Sequence, residues 1–360
     1  MRHGPANAAM GKVAFARPRR HNVMEVLAMR LLKGFLFLLL TGGLCQQAQA
    51  WGCEGHRIVA FIAMAHLTPD VARQIDELLR QNPIDPALKR FCGPSADPMA
   101  DASTWADDIR DGQPLTFPYH FIDIPLGVTP GSYNLEKACP AVTGCLLTAL
   151  AMYTQQLKQD HDPAHRADAL RFLIHFVGDA HQPLHDSDDG DRGGNCVPVT
   201  YLAREPRRKD AKGIFTGDYS PNLHSVWDTS ILRSMLESKA MKPRDFARYL
   251  DSHHGRRAAQ WSKTSPAGWV WEGHGLAEKV AYGNLPVKPP LEDVQKMPDC
   301  LANNNVSARR LELHEEIKAT YQAQAEVVVE DQLEKAGVRL AALLNNSLAT
   351  PSPKKKWWQR

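Results

Sequence analysis

Two apolar segments of the chain each carry a histidine and an aspartate four residues apart. His175 and Asp179 lie in the segment LIHFVGD, and His224 and Asp228 lie in NLHSVWD. Residues at positions i and i+4 share one face of a helix, so each pair points to one side of its helix. Because ionisable side chains are costly to bury without partners, a fold containing both pairs must compensate them.

A divalent metal ion is the compensation that the pattern favours. One such pair alone is more typical of a structural hydrogen bond, but further candidates occur in apolar segments: His120 and Asp123 in YHFID, Asp107 in WADDIR, and His185 after QPL. Zinc takes neutral imidazole and carboxylate ligands, usually four, with water at open positions.

The remaining histidines are predicted not to be ligands. His181, between the candidates, is interpreted as their neighbour. Those in polar stretches are predicted at the surface: His66, His161, His165, His253, His254, His274 and His314.

Residues 1–50 read as an upstream segment followed by a signal peptide. Arg30 and Lys33 precede an apolar run over 34–44, and Ala48-Gln49-Ala50 is a small-residue cleavage site. The apolar run is too short to span a bilayer. The sequence therefore predicts an exported protein, periplasmic or secreted, that begins at Trp51 and has no transmembrane anchor.

Cleavage would reverse the sign of the net charge. The first 50 residues hold seven Lys and Arg residues against one acidic residue, so the formal net charge falls from +3 to −3. This excludes a sequence-wide basic surface for nucleic acid. If the protein binds phosphates, something other than bulk Lys and Arg must supply the positive charge.

Six cysteines remain after cleavage, and an even number in an exported chain indicates disulfides. The short spacing suggests Cys139–Cys145, and we pair the others as Cys53–Cys92 and Cys196–Cys300. The competing interpretation, zinc thiolates, needs paired C-x2-C spacing. That spacing is absent from the sequence.

Helical periodicity predicts an all-α domain over residues 51–349. The predicted helices cover residues 57–65, 71–81, 147–157, 164–178 and 325–344, and the one credible strand is 197–202. Residues 203–221 are interpreted as a charged surface insertion and 350–360 as a basic, flexible tail.

The predicted mature terminus, Trp51 in WGCEGH, could also bind metal. A free α-amino group has a pKa near 8, so it can lose its proton and ligate a metal together with the Trp51 carbonyl oxygen. The alternative is that Trp51 is a buried anchor.

Taken together, six motifs resemble the S1/P1 family of zinc-dependent nucleases, and we expect a bacterial member. They occur in order as WGxxGH, WADxxR, HFID, LRFLxHFxGDxxQPLH, GGN and NLHxxWD, and the match runs over nearly all of the predicted mature chain. The resemblance implies a single helical domain built around a trinuclear zinc cleft, of the phospholipase C/nuclease type.

The resemblance also implies roles for individual residues. One zinc would take Asp107, His120, His175 and Asp179; a second would take the Trp51 amine and carbonyl, His56 and the other oxygen of Asp179; a third would take His185, His224 and Asp228. Asp107 and Arg110 would act in catalysis, Phe121 would stack on a base, Asp123 would read its edge, and Asn195 would contact substrate.

The function implied is a secreted endonuclease that cleaves single-stranded DNA and RNA to 5′-phosphate products and also acts on 3′-nucleotides. Three zinc ions would supply the positive charge that the composition lacks, and stacking on Phe121 requires an unstacked base. We expect a monomer with no stable protein partner.

Two alternatives remain open. A zinc phospholipase C typically has Glu as the last ligand, where this chain has Asp228. A non-catalytic zinc-binding protein would not need Arg110 beside Asp107.

Overall fold

The computed structural model describes residues 51–195, 197, 199–203, 221–254, 257–285 and 315–349, all of which belong to one unit spanning residues 47–360. The predicted signal peptide, the proposed Cys196–Cys300 disulfide, residues 204–220 of the insertion and the tail lie outside the described residues. Within the described part of the chain, no helix is both long enough and apolar enough to cross a membrane.

Helices dominate the described residues, which confirms the predicted all-α class. In chain order the α-helices are α1 Cys53–His66, α2 Pro69–Gln81, α3 Pro98–Ala102, α4 Trp105–Ile109, α5 Leu146–Gln159, α6 Pro163–Asp179, α7 Leu223–Ser225, α8 Ile231–Ser238, α9 Pro243–His254, α10 Ala258–Trp261, α11 Pro266–Leu276 and α12 Ala319–Leu348. Tighter 3₁₀ turns cover Pro114–His120, Leu135–Ala138 and Pro183–His185, and wider π turns cover Val226–Ser230 and Ala277–Ala281.

The predicted strand is real but shorter than expected. Strand β1, Val199–Tyr201, pairs in parallel with β2, Glu315–Ile317, so that Val199 lies opposite Glu315. Local patterning gave no partner because a parallel pair joins distant segments, unlike a hairpin.

The core forms where the long helix α12 packs along α1, with α6 beside them. At Gly337 the two helices approach so closely that an added Cβ would lie 2.4 Å from Ile62 Cβ. Helix α6 begins at the N-cap Asp162, which accepts a hydrogen bond from the Ala164 amide, with Pro163 in the first turn. This packing buries nearly all of the second half of α6 and carries its polar residues into the interior.

Two of the predicted disulfides are present. Cys53–Cys92 links the first turn of α1 to the loop before α3, and Cys139–Cys145 closes a short loop before α5.

Candidate metal centre

The last turns of α6 place two polar side chains at the centre of the molecule. His175 and Asp179 are both fully buried. The Nδ1 atom of His175 donates to the carbonyl oxygen of Ser103 at 2.8 Å. Its Nε2 atom therefore carries a lone pair, and this atom lies 3.4 Å from Asp179 Oδ2.

His120 and Asp107 complete the first group. The Nδ1 atom of His120 lies 3.1 Å from both Asp179 Oδ2 and His175 Nε2. Asp107, from α4, places Oδ1 3.8 Å from His120 Nδ1 and Oδ2 3.9 Å from His175 Nε2. The structure thus brings together the four residues assigned to the first zinc.

His56 approaches this group from the first turn of α1. Its Nε2 atom lies 3.4 Å from Asp179 Oδ1, and its ring stacks on His175 with centroids 4.0 Å apart. Gly178 makes this approach possible, because a Cβ there would lie 2.8 Å from His56 Nδ1. Trp51 is fully buried, which also fits its alternative interpretation as a buried anchor. The backbone N–H of the next residue, Gly52, donates to the Asp228 carbonyl oxygen at 2.6 Å.

The third group consists of His185, His224 and Asp228. Backbone carbonyls orient both rings: His185 Nδ1 donates to the His120 oxygen and His224 Nδ1 to the Gly193 oxygen, each at 2.6 Å. The two Nε2 lone pairs consequently face each other 3.1 Å apart. His224 Nε2 also lies 3.3 Å from Asp228 Oδ2.

Facing lone pairs repel unless a cation lies between them, and the protonation behaviour of the site agrees with that requirement. Burial holds the pKa of His56, His120 and His185 well below the usual range, and neighbouring histidines lower it further. Burial, with the charge of Asp107, raises the pKa of Asp179 and Asp228 well above the usual range. Neither charged histidines nor unpaired carboxylates are tolerated here.

Several of the buried atoms that could bind a metal have no hydrogen-bond partner among the described residues. They are His56 Nδ1 and Nε2, Asp107 Oδ1, His120 Nε2 and Asp179 Oδ1. Neutral imidazoles and carboxylates in this number are the ligand set of zinc, so the residues fit zinc ions well.

Arg110 lies at one side of the first group. Its buried guanidinium places Nη1 3.4 Å from Asp107 Oδ1 and packs over the ring of Phe117 at 5.7 Å. Phe117 in turn meets Phe121 edge to face, with centroids 5.4 Å apart. Phe117, which is 40 % exposed, was not predicted as part of the site, although it lies four residues before Phe121.

The other two residues predicted to contact substrate, Asp123 and Asn195, are not buried. Asp123 is exposed, one residue beyond the buried Ile122. Asn195 is half-buried, and its side chain donates to the Arg192 carbonyl at 2.8 Å. The structure thus gives Asn195 a contact within its own turn, whereas the neighbouring Gly193 orients His224.

Gln182 is a further residue of the site, and the sequence pattern did not predict it. Its Nε2 atom donates to Asp228 Oδ1 at 2.6 Å. Its position within the QPLH motif was the available signal.

A network of hydrogen bonds between charged and polar side chains contacts the end of α6, and the sequence pattern did not predict it. His181 Nδ1 donates to the Val177 carbonyl at 2.7 Å, Arg339 Nη1 donates to His181 Nε2 at 2.8 Å, and Arg339 Nη2 donates to Glu272 at 2.7 Å. The hydrogen bonds of His181 thus go to Val177 and Arg339, and its place beside the metal groups stays a prediction.

One surface prediction is wrong. His274 is buried, with Nδ1 2.7 Å from Ser187 Oγ, because its face of α11 packs against the turn Pro183–His185.

Comparison with known proteins points in the same direction as the geometry. The family model described as S1/P1 Nuclease matches residues 51–349. Nuclease S1 of Aspergillus oryzae is 29% identical over 194 residues, covering 53% of this chain and 58% of that protein. Nuclease P1 of Penicillium citrinum is 30% identical over 195 residues, covering 53% and 62%. Endonuclease 3 of Arabidopsis thaliana is 26% identical over 329 residues, covering 85% and 90%. The match thus spans less than two thirds of the length of these two fungal nucleases.

Proposed function

The chain belongs to the S1/P1 nuclease family, and we propose that it is a zinc-dependent endonuclease. Its substrates would be single-stranded DNA and RNA, cleaved to 5′-phosphate products, and it would also remove the phosphate of 3′-nucleotides. The observation that carries the proposal is a pair of buried groups close enough to affect each other electrostatically: His175 and Asp179 in one, and His185, His224 and Asp228 in the other.

We assign three zinc ions to this centre. The holders would be Asp107, His120, His175 and Asp179 for the first, the Trp51 amine and carbonyl, His56 and Asp179 for the second, and His185, His224 and Asp228 for the third. When bound, zinc supplies positive charge and lowers the pKa of water towards about 7, which yields a nucleophile at neutral pH.

The protein's own residues perform the remaining tasks. Carbonyl acceptors on Ser103, His120 and Gly193 hold three imidazoles in one tautomer and one orientation. This removes rotational freedom before substrate arrives, so the donor atoms need no rearrangement during the reaction.

Arg110 is suited to stabilise phosphate charge in the transition state. Its buried guanidinium is held beside Asp107 and over Phe117, so its position is set before substrate binds. A preorganised cation in a site that excludes water stabilises developing negative charge far more than one in bulk solvent.

The aromatic pair Phe117 and Phe121 offers a partly exposed surface on which an unpaired base can stack. A base in a duplex is already stacked and must be opened first, which would favour single strands. Asp123, exposed two residues after Phe121, would accept hydrogen bonds from the edge of that base.

We further propose that residues 51–349 act as the nuclease domain of an exported monomer. The requirement for a free Trp51 amine supports cleavage immediately before this residue, because an amide nitrogen has no lone pair to offer.

A paired substrate assay tests the function. Single-stranded DNA and a phosphatidylcholine analogue are each offered to the purified protein, with and without a chelator, and zinc is counted by elemental analysis. We expect cleavage of DNA only, abolished by the chelator, and about three zinc ions per chain. Hydrolysis of the lipid would identify a phospholipase C, and no hydrolysis with zinc bound would identify a binding protein.

A further inference from the structure

A second cluster of potential metal ligands lies where three helices meet. His66 ends α1, Asp251 lies near the end of α9, and Glu334 lies in the middle of α12. One ligand atom from each residue lies within 4.8 Å of the other two. His66 is ten residues from His56 on the same helix, which places it about 15 Å from the catalytic groups at 1.5 Å per residue.

Glu334 is the unusual member of this cluster. Its side chain is fully buried, and its carboxylate accepts no hydrogen bond from an N–H group of the described residues, while the Asp251 carboxyl lies within hydrogen-bond reach. A buried carboxylate without a partner is strongly destabilising. The nearby Asp251 is also acidic, so its charge repels that of Glu334 instead of stabilising it.

His66 supplies the third potential metal ligand. Its Nε2 atom lies 2.7 Å from Asp251 Oδ1, and both side chains are about one-quarter to one-third exposed. The cluster therefore has a buried floor formed by Glu334 and an entrance from solvent beside His66 and Asp251. Water can enter by the same route to complete the coordination of an ion.

We propose that His66, Asp251 and Glu334 form an additional site for a divalent cation of the zinc class, distinct from the catalytic centre. Imidazole nitrogen and carboxylate oxygen are both ligands that such ions accept, and water can complete the coordination. The cation ties the ends of α1 and α9 to the middle of α12, so its role is structural.

The alternative explanation for the buried Glu334 is that its carboxyl group is protonated. Burial, together with Asp251, raises the pKa of Glu334 to about 8, and a protonated Glu334 could donate to Asp251 without any metal. The two explanations differ in zinc content, which can be measured directly.

Zinc stoichiometry is the primary test. Wild type and two variants, Glu334→Gln and His66→Gln, are dialysed against the same buffered zinc and analysed for metal. His165→Gln is the matched control, because exposed His165 also contacts an aspartate, with Nδ1 3.2 Å from Asp160 Oδ2, but has no buried third carboxylate. We expect wild type and control to hold one more zinc than either variant, with equal activity on single-stranded DNA.

Thermal unfolding provides an independent readout. Zinc at 100 times its Kd for this site should raise the Tm of wild type by roughly 5 °C more than that of Glu334→Gln. His66→Gln, at a half-buried helix end, keeps the test decisive if Glu334→Gln fails to fold. Equal zinc content in all four proteins would overturn the proposal in favour of the proton. Loss of activity together with the missing zinc would also overturn it, since the zinc lost would then be catalytic.

Discussion

Gly178→Ala should disable the metal centre by displacing one ligand. The new Cβ would lie 2.8 Å from His56 Nδ1 and 3.0 Å from its Cε1, whereas ordinary contact begins near 3.4 Å. The ring must therefore retreat by about 0.6 Å, and the stacked ring of His175 lies close by, 4.0 Å from it between centroids. Metal sites tolerate displacements of only about 0.2 Å.

The expected consequences can be given magnitudes. Overpacking a buried site costs about 1–3 kcal/mol, of which the better helix propensity of alanine offsets about 0.5–1 kcal/mol. A misplacement approaching 1 Å can cost roughly 10²-fold in rate. We expect Gly178→Ala to lose about one zinc ion and to cleave single-stranded DNA roughly 10²-fold more slowly.

Gly275→Ala is the matched control. Gly275 also lies in a helix, α11, but apart from its chain neighbours and the nearby backbone of that helix, no atom of the described residues lies within 4 Å of the position of an added Cβ. This variant should gain about 0.5–1 kcal/mol of stability and keep full zinc content and activity. Elemental analysis, chemical unfolding and steady-state kinetics measure all three quantities. A Gly178→Ala protein with wild-type zinc content and turnover would refute the packing argument.

Three further predictions address catalysis, processing and pH. Arg110→Ala should keep its zinc while kcat falls about 10²–10³-fold. Phe121→Ala loses stacking of about 1–3 kcal/mol per base, so it should mainly raise KM. If kinetics on short oligonucleotides show equal effects of both variants, confined to KM, the catalytic role of Arg110 is contradicted. A protein that retains one residue before Trp51, verified by mass spectrometry, should lose about one zinc and most activity, and full activity would show that the terminal amine is not a ligand. Burial tends to raise the pKa of Glu272, but Lys335 and Arg339 outweigh it and bring the pKa down to about 2; because this lies below the unfolded value, the stabilisation is complete above about pH 4.5 and is lost as the pH falls towards 2. Glu272→Gln should therefore unfold about 1–3 kcal/mol more easily at pH 7, with the difference shrinking at pH 3, and a difference independent of pH in urea unfolding would contradict this account.

Local spacing was enough to identify five of the helices and the pair His175 and Asp179, but not the helices between residues 98 and 109 or between 231 and 276. The fourfold spacing of His175 and Asp179 places both on one face of any helix, whatever surrounds it. The predicted 164–178 helix differs from the observed Pro163–Asp179 by one residue at each end. The C-terminal helix, predicted over 325–344, extends to Ala319–Leu348 because packing against α1 stabilises turns that periodicity alone does not mark.

Only the tertiary structure decided how the ligands are oriented. The carbonyl groups that fix the tautomers of His175, His185 and His224 come from Ser103, His120 and Gly193, which lie 72, 65 and 31 residues away. A carbonyl oxygen is present at every residue, so no sequence pattern marks the ones that accept these bonds.

The same reason explains two histidines whose surroundings the sequence did not predict. Both His66 and His274 are predicted at the surface, but the structure brings the half-buried His66 beside Asp251 and Glu334 and the buried His274 beside Ser187. Glu334 lies 268 residues after His66. Periodicity describes only neighbours along one element, whereas the partner of a buried polar group is set by which elements pack together.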